Sequence, residues 1–357
     1  MARPFSLRDL ALIHRLSEKG ALLHAETALT KNWQPLWGAL HSLFTGGDDL
    51  TFVWRAEKGE AAGFVQLHIS DDSARACLIY LGATNGRDLA PAGDLPEAPP
   101  DELPTPDSNP PLEDVWLPLL DGVVAEVGRR GVHSLVAEVD ELSPQLALLR
   151  QAGFAIYTRQ DIWVCEGSVA GEAPAGVPHL FSSYHPEDDW EMALLYAHIV
   201  PPLIQMVEPG PPEDGTLWVL REHGDELTAF VHVQDGPGAS WLRFFIHPNA
   251  QAQASDIIRA ALQFSPPREG HPVYCCVRRY QSWLQTELAR EGFALWGSQA
   301  VMVKHTVHKV RSEAPELSPA LQTQGVTTPP TPFTRPYRPE RPLTAKKRLK
   351  ARVPPHA

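Results

Sequence analysis

The sequence has few of the features that mark exported, membrane-spanning or metal-binding proteins. Only four of its 357 residues are cysteine, and they form neither a CxxC pair nor a metal-ligand spacing. This cysteine usage predicts a reducing, cytoplasmic location and no bound metal. No apolar run approaches the roughly 20 residues that a membrane-spanning helix needs. The opening residues, MARPFSLRDLALIHRL, also contain no long apolar stretch, so we predict neither a membrane segment nor a signal peptide.

Two common catalytic signatures are also missing, and the charge is unevenly placed. The chain has no GxSxG nucleophile elbow and no Walker-type phosphate loop. The net charge is −12, but the segment from Arg311 onward has nine basic and three acidic residues, or +6, so residues 1–310 carry −18. An acidic body argues against nucleic-acid binding, apart from weak contacts by the basic tail that ends in KKRLKAR (346–352).

What the chain does contain is a long internal repeat. Residues 149–166 read LRQAGFAIYTRQDIWVCE, and residues 288–305 read LAREGFALWGSQAVMVKH. Gly153 and Gly292, which begin the two Gly-Phe steps, are 139 residues apart. A period of this length is too long for a solenoid, so it indicates two whole domains of one fold.

The repeat and the composition together predict the domain boundaries. We place a first domain at 1–166, with a Pro-rich, acidic insert at 83–111 that we expect to be flexible. A Gly/Pro-rich linker at 167–179 leads to a second domain at 180–308. The Pro-rich, basic tail at 309–357 is predicted to be disordered.

Hydrophobic periodicity predicts a mixed α/β fold for both domains. Each follows the order strand, two helical segments, three strands, helix, strand, short helix and two short strands. The clearest helix begins near Leu112 and has apolar residues at i, i+3, i+4 and i+7, with Gly131 as its stop signal.

The end of each domain resembles the GNAT acyltransferase superfamily. The two stretches are HSLVAEVDELSPQLALLRQAGFAIY and PVYCCVRRYQSWLQTELAREGFALW. The resemblance implies a central mixed sheet, flanked by helices, that splays between its fourth and fifth strands. It also implies acetyl-CoA or another acyl-CoA as cosubstrate, bound in that gap, and an amine on a small molecule or a protein as acceptor. The coenzyme pyrophosphate would lie at the N-terminus of the next helix, where backbone N–H groups lack partners.

In the second domain the resemblance places the coenzyme contacts on one strand and the loop after it. The predicted cofactor-binding residues are Phe245, Ile246, Gln251, Ala252, Gln253, Ala254 and Ser255. The loop departs from the family's glycine-rich motif, because Ala254 stands for a glycine and Asp256 for glycine or alanine. In the first domain the corresponding helix carries Glu113 and Asp114 and no glycine, so we expect no ordinary coenzyme site there.

The catalytic residues remain unassigned from the sequence. Many members of the superfamily have a tyrosine acid four residues before the glycine of Gly-Phe, where this chain has Leu149 and Leu288, which cannot donate a proton. An asparagine often begins that short helix, and Leu142 and Gln281 stand nearby here. Tyr280 is a candidate substitute acid, although a packed aromatic is its more ordinary role.

Two hypotheses of function follow. The first is an acyl-CoA-dependent N-acyltransferase, acting more plausibly through the second domain. The second is a catalytically inactive tandem GNAT-like protein that serves as a binding partner or scaffold. The loop without glycines and the two leucines favour the second hypothesis. The transferase hypothesis also stands, because backbone N–H groups alone can stabilise the transition state of acyl transfer.

Overall fold

The structure is a computed structural model that describes most of the chain up to residue 306. The described ranges are 2–18, 20–45, 48–56, 62–70, 74–84, 113–167, 181–212, 215–221 and 226–306. The predicted insert, linker and tail lie almost entirely outside these residues. Met1–Lys309 form one compact unit. Within the described part of the chain, no helix has the length and apolar character required to cross a membrane.

The first half contains seven strands and five helices among its described residues. In chain order they are β1 (Arg3–Pro4), α1 (Leu10–Leu16), β2 (Gly20–Leu22), α2 (Ala25–Thr30), α3 (Pro35–Thr45), β3 (Asp49–Arg55), β4 (Ala62–Ile69), β5 (Arg75–Thr84), α4 (Glu113–Arg129), β6 (Ser134–Asp140), α5 (Gln145–Gln151) and β7 (Ala155–Cys165). Two of these elements, β2 and α2, were not predicted from the sequence.

The second half repeats this order of strands and helices with small changes. Its elements are β8 (Phe181–Ser183), α6 (Asp189–Ile199), α7 (Pro202–Gln205), β9 (Thr216–Arg221), β10 (Leu227–Asp235), β11 (Ser240–Ile246), α8 (Ala254–Phe264), β12 (Val273–Arg278), α9 (Leu284–Arg290) and β13 (Ala294–His305). Apart from β2 and α2, the predicted order of elements is present in both halves up to the short helices α5 and α9. The prediction of two short strands after each Gly-Phe step is wrong, because β7 and β13 are each one long strand.

All strands belong to a single sheet in which the halves exchange their last strands. The order is β1-β3-β4-β5-β6-β13-β7-β12-β11-β10-β9-β8, and β2 pairs with β5. Thus β13, from the end of the second half, pairs with β6 of the first, and β7 of the first half pairs with β12 of the second. Each half is completed by a strand of the other.

The centre of this arrangement is the pairing of β7 with β13. Gln160 and Gln299 face each other there, and Gln160 Nε2 donates to Gln299 Oε1 at 2.9 Å. These residues are 139 positions apart, which is the period of the sequence repeat. An approximate two-fold relation between the halves therefore passes through this glutamine pair.

The cores lie between the sheet and the helices that cover it. The apolar stripe of α4 is buried as its spacing predicted, with Val115, Leu119 and Val123 fully enclosed against β4 and β5. In the second half α8 buries Ile257 and Ile258 in the equivalent place. Leu149 and Leu288, at the positions of the missing acid, are both fully buried in these cores.

Candidate functional site

Both halves have a point at which two parallel strands part. In the first half β5 and β6 pair up to Cys77 and Val136, and in the second half β11 and β12 pair up to Leu242 and Cys275. Beyond these pairs the strands diverge. The splay that the resemblance implied is therefore present twice.

The gap of the first half is filled by the protein's own backbone. Strand β2 pairs with β5, and Leu23, which follows it, accepts from Glu138 N at 2.7 Å and donates to Ile79 O at 2.8 Å. Leu23 thus joins the two parted strands. A ligand that used the same backbone groups would have to displace this segment.

A buried carboxylate holds the filling segment in place. Glu138 on β6 accepts from the backbone N–H of Ala25 at 2.7 Å, at the start of α2. This contact satisfies one of the donors that a helix N-terminus leaves unpaired. The structure thus gives Glu138 a capping role.

The gap of the second half is spanned differently, by one side chain. Gln281, just before α9, donates from Nε2 to the carbonyl of Phe244 at 3.0 Å. Among the described residues no strand lies between β11 and β12 in the way that β2 and Leu23 lie in the first half. The backbone of Arg243–Ile246 therefore borders a gap that only a side chain crosses.

The predicted coenzyme residues divide into a buried group and an exposed group. Phe245 packs on Phe230 with ring centroids 4.4 Å apart, and Ile246 lies in the core beneath α8. The side chains of Gln251, Ala252 and Gln253 are exposed on a 3₁₀ turn, Pro248–Gln253, that leads into α8.

Ala254 is buried at the first position of α8, and Ser255 follows it. The structure thus brings the loop residues together at the helix start. The side chains of Phe245 and Ile246 point into packed cores, so only their backbone borders the gap.

The start of α8 carries more negative charge than a diphosphate site would favour. Ser255 Oγ donates to Glu287 Oε2 of α9 at 2.9 Å, and Arg290 Nη1 lies 2.7 and 2.9 Å from the two oxygens of that carboxylate. The Ser255 hydrogen bond and Arg290 lower the pKa of Glu287, so it is ionised at neutral pH. Asp256 adds a second carboxylate, 3.1 Å from Arg259. The parted strands suit a pantetheine arm, but this helix start fits a pyrophosphate poorly.

No proton donor stands where the superfamily has its tyrosine. Leu149 and Leu288 are fully buried among apolar groups. Tyr280 is partly buried against the cluster around Phe245, and burial raises its pKa to about 12. Its phenol therefore holds its proton at neutral pH and would yield it reluctantly. Among the described residues no group of three His, Cys, Asp or Glu side chains could hold a metal ion.

A polar cavity of about 160 Å³ lies between the two halves, next to both points where the strands part. Both halves contribute to its wall. The polar and ionisable residues of the wall are His24, Glu26, Thr27, Thr30, Lys31, His68, Ser70, Arg75, Cys77, Glu138, Tyr157, Gln160, Glu208, His232, Gln234, Trp241, Arg243, Cys276 and Arg278. Trp241 is part of this wall, whereas Trp218 stacks on Phe264 in a core.

An ionic cluster centred on Glu208 links the halves inside this cavity. Glu208 accepts from Arg278 Nη2 at 2.7 Å, from Arg243 Nη2 at 3.3 Å and from the Tyr157 hydroxyl at 2.5 Å. Burial by itself raises the pKa of Glu208, but Arg278, Arg243 and Tyr157 outweigh it and bring the pKa to about 2. Burial and the Glu208 charge raise the pKa of Tyr157 well above its ordinary value. The cluster is therefore an ionised carboxylate shared by two guanidinium groups and a phenol.

Sequence reasoning missed this cluster, although both of its arginines left a trace. Arg243 interrupts the apolar strand WLRFFI, and Arg278 ends the apolar strand PVYCCVR. A charged residue inside a buried strand is rarely left unpaired, so each arginine predicts a partner. The partner, Glu208, comes from an irregular segment after α7 that has no periodic signal.

Comparison with known proteins gives a similarity of fold. No known protein-family profile matches the sequence, and no curated protein matches it. A GCN5-related N-acetyltransferase from Sphaerobacter thermophilus is similar in structure, with 14% identity, a TM-score of 0.45, and 86% of this chain and 95% of that chain covered.

A tandem GNAT protein from the clavulanic acid biosynthesis pathway has 12% identity and a TM-score of 0.45, with 86% and 98% of the two chains covered. A GNAT-family acetyltransferase from Colwellia psychrerythraea has 14% identity and a TM-score of 0.39, with 86% and 100% covered. We draw nothing about substrate or reaction from similarities of this size. The mixed α/β fold of two GNAT-like halves rests on the element order and on the parted strands of this chain.

Proposed function

We propose that this protein is an acyl-CoA-dependent N-acyltransferase whose acyl-CoA site is in the second half. The observation that carries the proposal is the difference between the two gaps. Backbone closes the first, through β2 and Leu23, whereas in the described part of the chain the second is crossed by the Gln281 side chain. A pantetheine arm could replace that single hydrogen bond to the Phe244 carbonyl, so we expect one coenzyme per chain.

In this proposal backbone groups make most of the contacts with the coenzyme. N–H groups along β11 would orient the thioester and stabilise negative charge on its carbonyl oxygen, a contribution that needs no particular side chain. The pyrophosphate would meet the start of α8, at Gln251–Ser255, where the helix dipole favours anions and Asp256 and Glu287 oppose them. The acceptor is an amine on a small molecule or a protein, which must reach the gap in its deprotonated form.

The first experiment is calorimetric titration with acetyl-CoA and with free coenzyme A, with thermal melting alongside. A ligand present at 100 times its Kd stabilises the folded state by about 2.7 kcal/mol, which is readily visible in Tm. We expect saturable binding at one site per chain. Two sites per chain would contradict the closed first gap.

Charge-removing variants at the start of α8 sharpen the test. Glu287→Gln and Asp256→Asn each remove a carboxylate near the proposed pyrophosphate position, and each should tighten coenzyme binding by severalfold, as expected for a charge at a helix terminus. Glu126→Gln makes a comparable change on an exposed face of α4, remote from α8, and serves as the matched control. An equal effect in all three variants would point to overall charge rather than to this site.

Two observations favour the alternative of a catalytically inactive binding protein. The Ser255 hydroxyl already donates its hydrogen bond to the Glu287 carboxylate. Leucines stand at both positions where the superfamily has its tyrosine acid. Absence of saturable binding at millimolar acetyl-CoA, in a protein that melts cooperatively, would decide for this alternative and against the transferase.

A further inference from the structure

The cavity between the halves has the size and the walls of a ligand site. Its volume of about 160 Å³ is close to that of an engineered cavity of about 150 Å³ that holds a benzene molecule. Lys31 and residues 210–212 also line it, and Lys31 is exposed, so the cavity reaches the surface beside the end of α2. A molecule of a few heavy atoms could therefore enter and be enclosed.

Hydrogen-bond donors without partners are concentrated on this wall. Arg278 is only 5% exposed and uses Nη2 for Glu208, while its Nε and Nη1 have no partner among the described residues. Trp241 is 1% exposed, and its Nε1 also has no partner there. Buried donors of this kind cost free energy unless they are satisfied, so several on one cavity indicate a bound acceptor.

The charges on the wall favour a single negative charge in the ligand. Arg278 and Arg243 share one carboxylate, Glu208, which leaves positive charge in excess at that point. Arg75 and Lys31 also line the cavity, so its four arginine and lysine side chains face the three carboxylates of Glu26, Glu138 and Glu208 and exceed them by one charge. The wall includes Val136 and the indole of Trp241 as apolar surface. A monoanion with a small apolar body matches this combination.

We propose that the cavity binds a small carboxylic acid as its carboxylate, which accepts hydrogen bonds from Arg278 and from the indole N–H of Trp241. The proposal does not depend on acyl transfer, because it uses the side chains of Arg278 and Trp241, whereas the proposed coenzyme contacts on β11 are backbone groups. Charge-assisted hydrogen bonds from a buried guanidinium are the strongest contribution.

The experiment is a titration of the full-length protein, without coenzyme, with acetate, pyruvate and benzoate at constant ionic strength. Heat of binding and Tm are recorded, with acetamide, benzamide and inorganic phosphate as comparison probes. We expect saturable binding and a higher Tm with at least one carboxylate, no effect of the neutral amides, and weaker binding of phosphate. Binding of phosphate more tightly than every carboxylate would overturn the ligand class. Absence of any saturable response to the carboxylates at 100 mM would mean that the cavity holds water only, and would overturn the site.

Variants then locate the binding. Arg278→Gln removes the charge and should weaken the carboxylate Kd by about tenfold or more, since a hydrogen bond to a charged group contributes about that factor. Trp241→Phe keeps an aromatic ring but removes the donor, and should weaken binding by severalfold. Arg129→Gln, on the exposed end of α4, is the matched control and should leave the Kd unchanged.

If Arg278→Gln does not fold, Trp241→Phe still tests the proposal. Carboxylate binding that is unaffected by Trp241→Phe, and by Arg278→Gln where that variant folds, would overturn it. Because coenzyme is absent throughout, failure here is separate from failure of the proposed acyl-CoA site.

Discussion

The two halves differ most at the place where their central strands part. In the first half, backbone hydrogen bonds from Leu23 join β5 to β6, and β2 extends the sheet beside them. In the second half a single glutamine side chain, Gln281, reaches across to Phe244. A side chain can rotate away, whereas the backbone segment cannot leave without loss of several hydrogen bonds. The two halves thus share the path of the chain and differ in what lies in the gap.

Equivalent positions show how small the underlying sequence change is. Leu142 and Gln281 are separated by the repeat period, yet Leu142 is 96% exposed and Gln281 is 4% exposed. Leucine has no donor with which to bridge the strands, so the first half cannot use the same device. The residue at this one position therefore decides whether a side chain can span the gap, as Gln281 does, or whether a backbone segment fills it, as in the first half.

The largest expected effect comes from the contact that links the halves. Glu208→Gln leaves Arg278 and Arg243 buried without a counter-charge, and loss of one partner of a buried ion pair costs about 3–5 kcal/mol. Urea unfolding should show a lower midpoint, with the free energy of unfolding in water reduced by that amount. A loss below about 1 kcal/mol would mean that water screens the cluster.

The same residue predicts the dependence of stability on pH. The pKa of Glu208 is about 2 in the folded protein, against an ordinary value of 4.5. Its contribution is therefore present above about pH 4.5 and is lost as the pH falls toward 2. Unfolding curves at pH 7, 5, 4 and 3 should show a decline at the acid end, and the Glu208→Gln variant should show a shallower one.

The buried leucines should behave alike in both halves. Leu149→Ala and Leu288→Ala each remove a fully enclosed side chain, and each should lower the free energy of unfolding by about 3 kcal/mol. Leu142→Ala changes an exposed leucine of the same segment and should have little effect. A large difference between the two buried positions would indicate that one half is packed less well than the other.

The contacts that bridge the two gaps should differ in how much they stabilise the protein. Glu138→Leu removes the acceptor of the buried Ala25 N–H and should cost about 2 kcal/mol, since that bond involves a charged group. Glu138→Gln keeps an acceptor oxygen and should recover part of the loss. Gln281→Leu breaks only a neutral hydrogen bond, so its expected cost is about 1 kcal/mol. Equal costs would contradict the stronger closure of the first gap.

The smallest expected effect tests the filling strand itself. A methyl group at Gly20 would overlap the ring of Tyr80, which is buried and donates its hydroxyl hydrogen to Ser17 O. Gly20→Ala should therefore cost about 1 kcal/mol through overpacking. Gly210→Ala, where the added methyl group meets no neighbour, is the matched control. Equal melting temperatures for the two variants would show that β2 is loosely held.

Sequence patterns predicted the regular parts of the fold because those parts follow from burial. The helix α4 came from periodicity, and its predicted start near Leu112 and stop at Gly131 lie within two residues of the observed bounds, Glu113–Arg129. The segment 20–30, GALLHAETAL followed by Thr30, was missed since its elements are too short for a periodic pattern. Its role depends on Glu138, which is more than 100 residues away.

The exchange of strands could not be predicted from the sequence for a different reason. The two endings, with Gly153-Phe154 and Gly292-Phe293, are so alike that either strand satisfies the apolar pattern of either half. The candidate coenzyme residues at 251–255 lie on the 3₁₀ turn before α8 and on its first two residues, and their contact with coenzyme stays a prediction. The carboxylate of Glu287 beside them comes from another helix, and no local sequence pattern predicts that contact.

The exchanged strands also set an order on how the chain can fold. The sheet edge at β6 (Ser134–Asp140) receives its partner only when β13 (Ala294–His305) has been synthesised, about 160 residues later. Until then β6 and β7 each present an unpaired edge, which is the condition under which chains pair with one another and aggregate. Pairings this distant in sequence also form slowly. The protein therefore gains a single continuous sheet at the cost of a nascent chain whose strand edges stay open until β13 has been made.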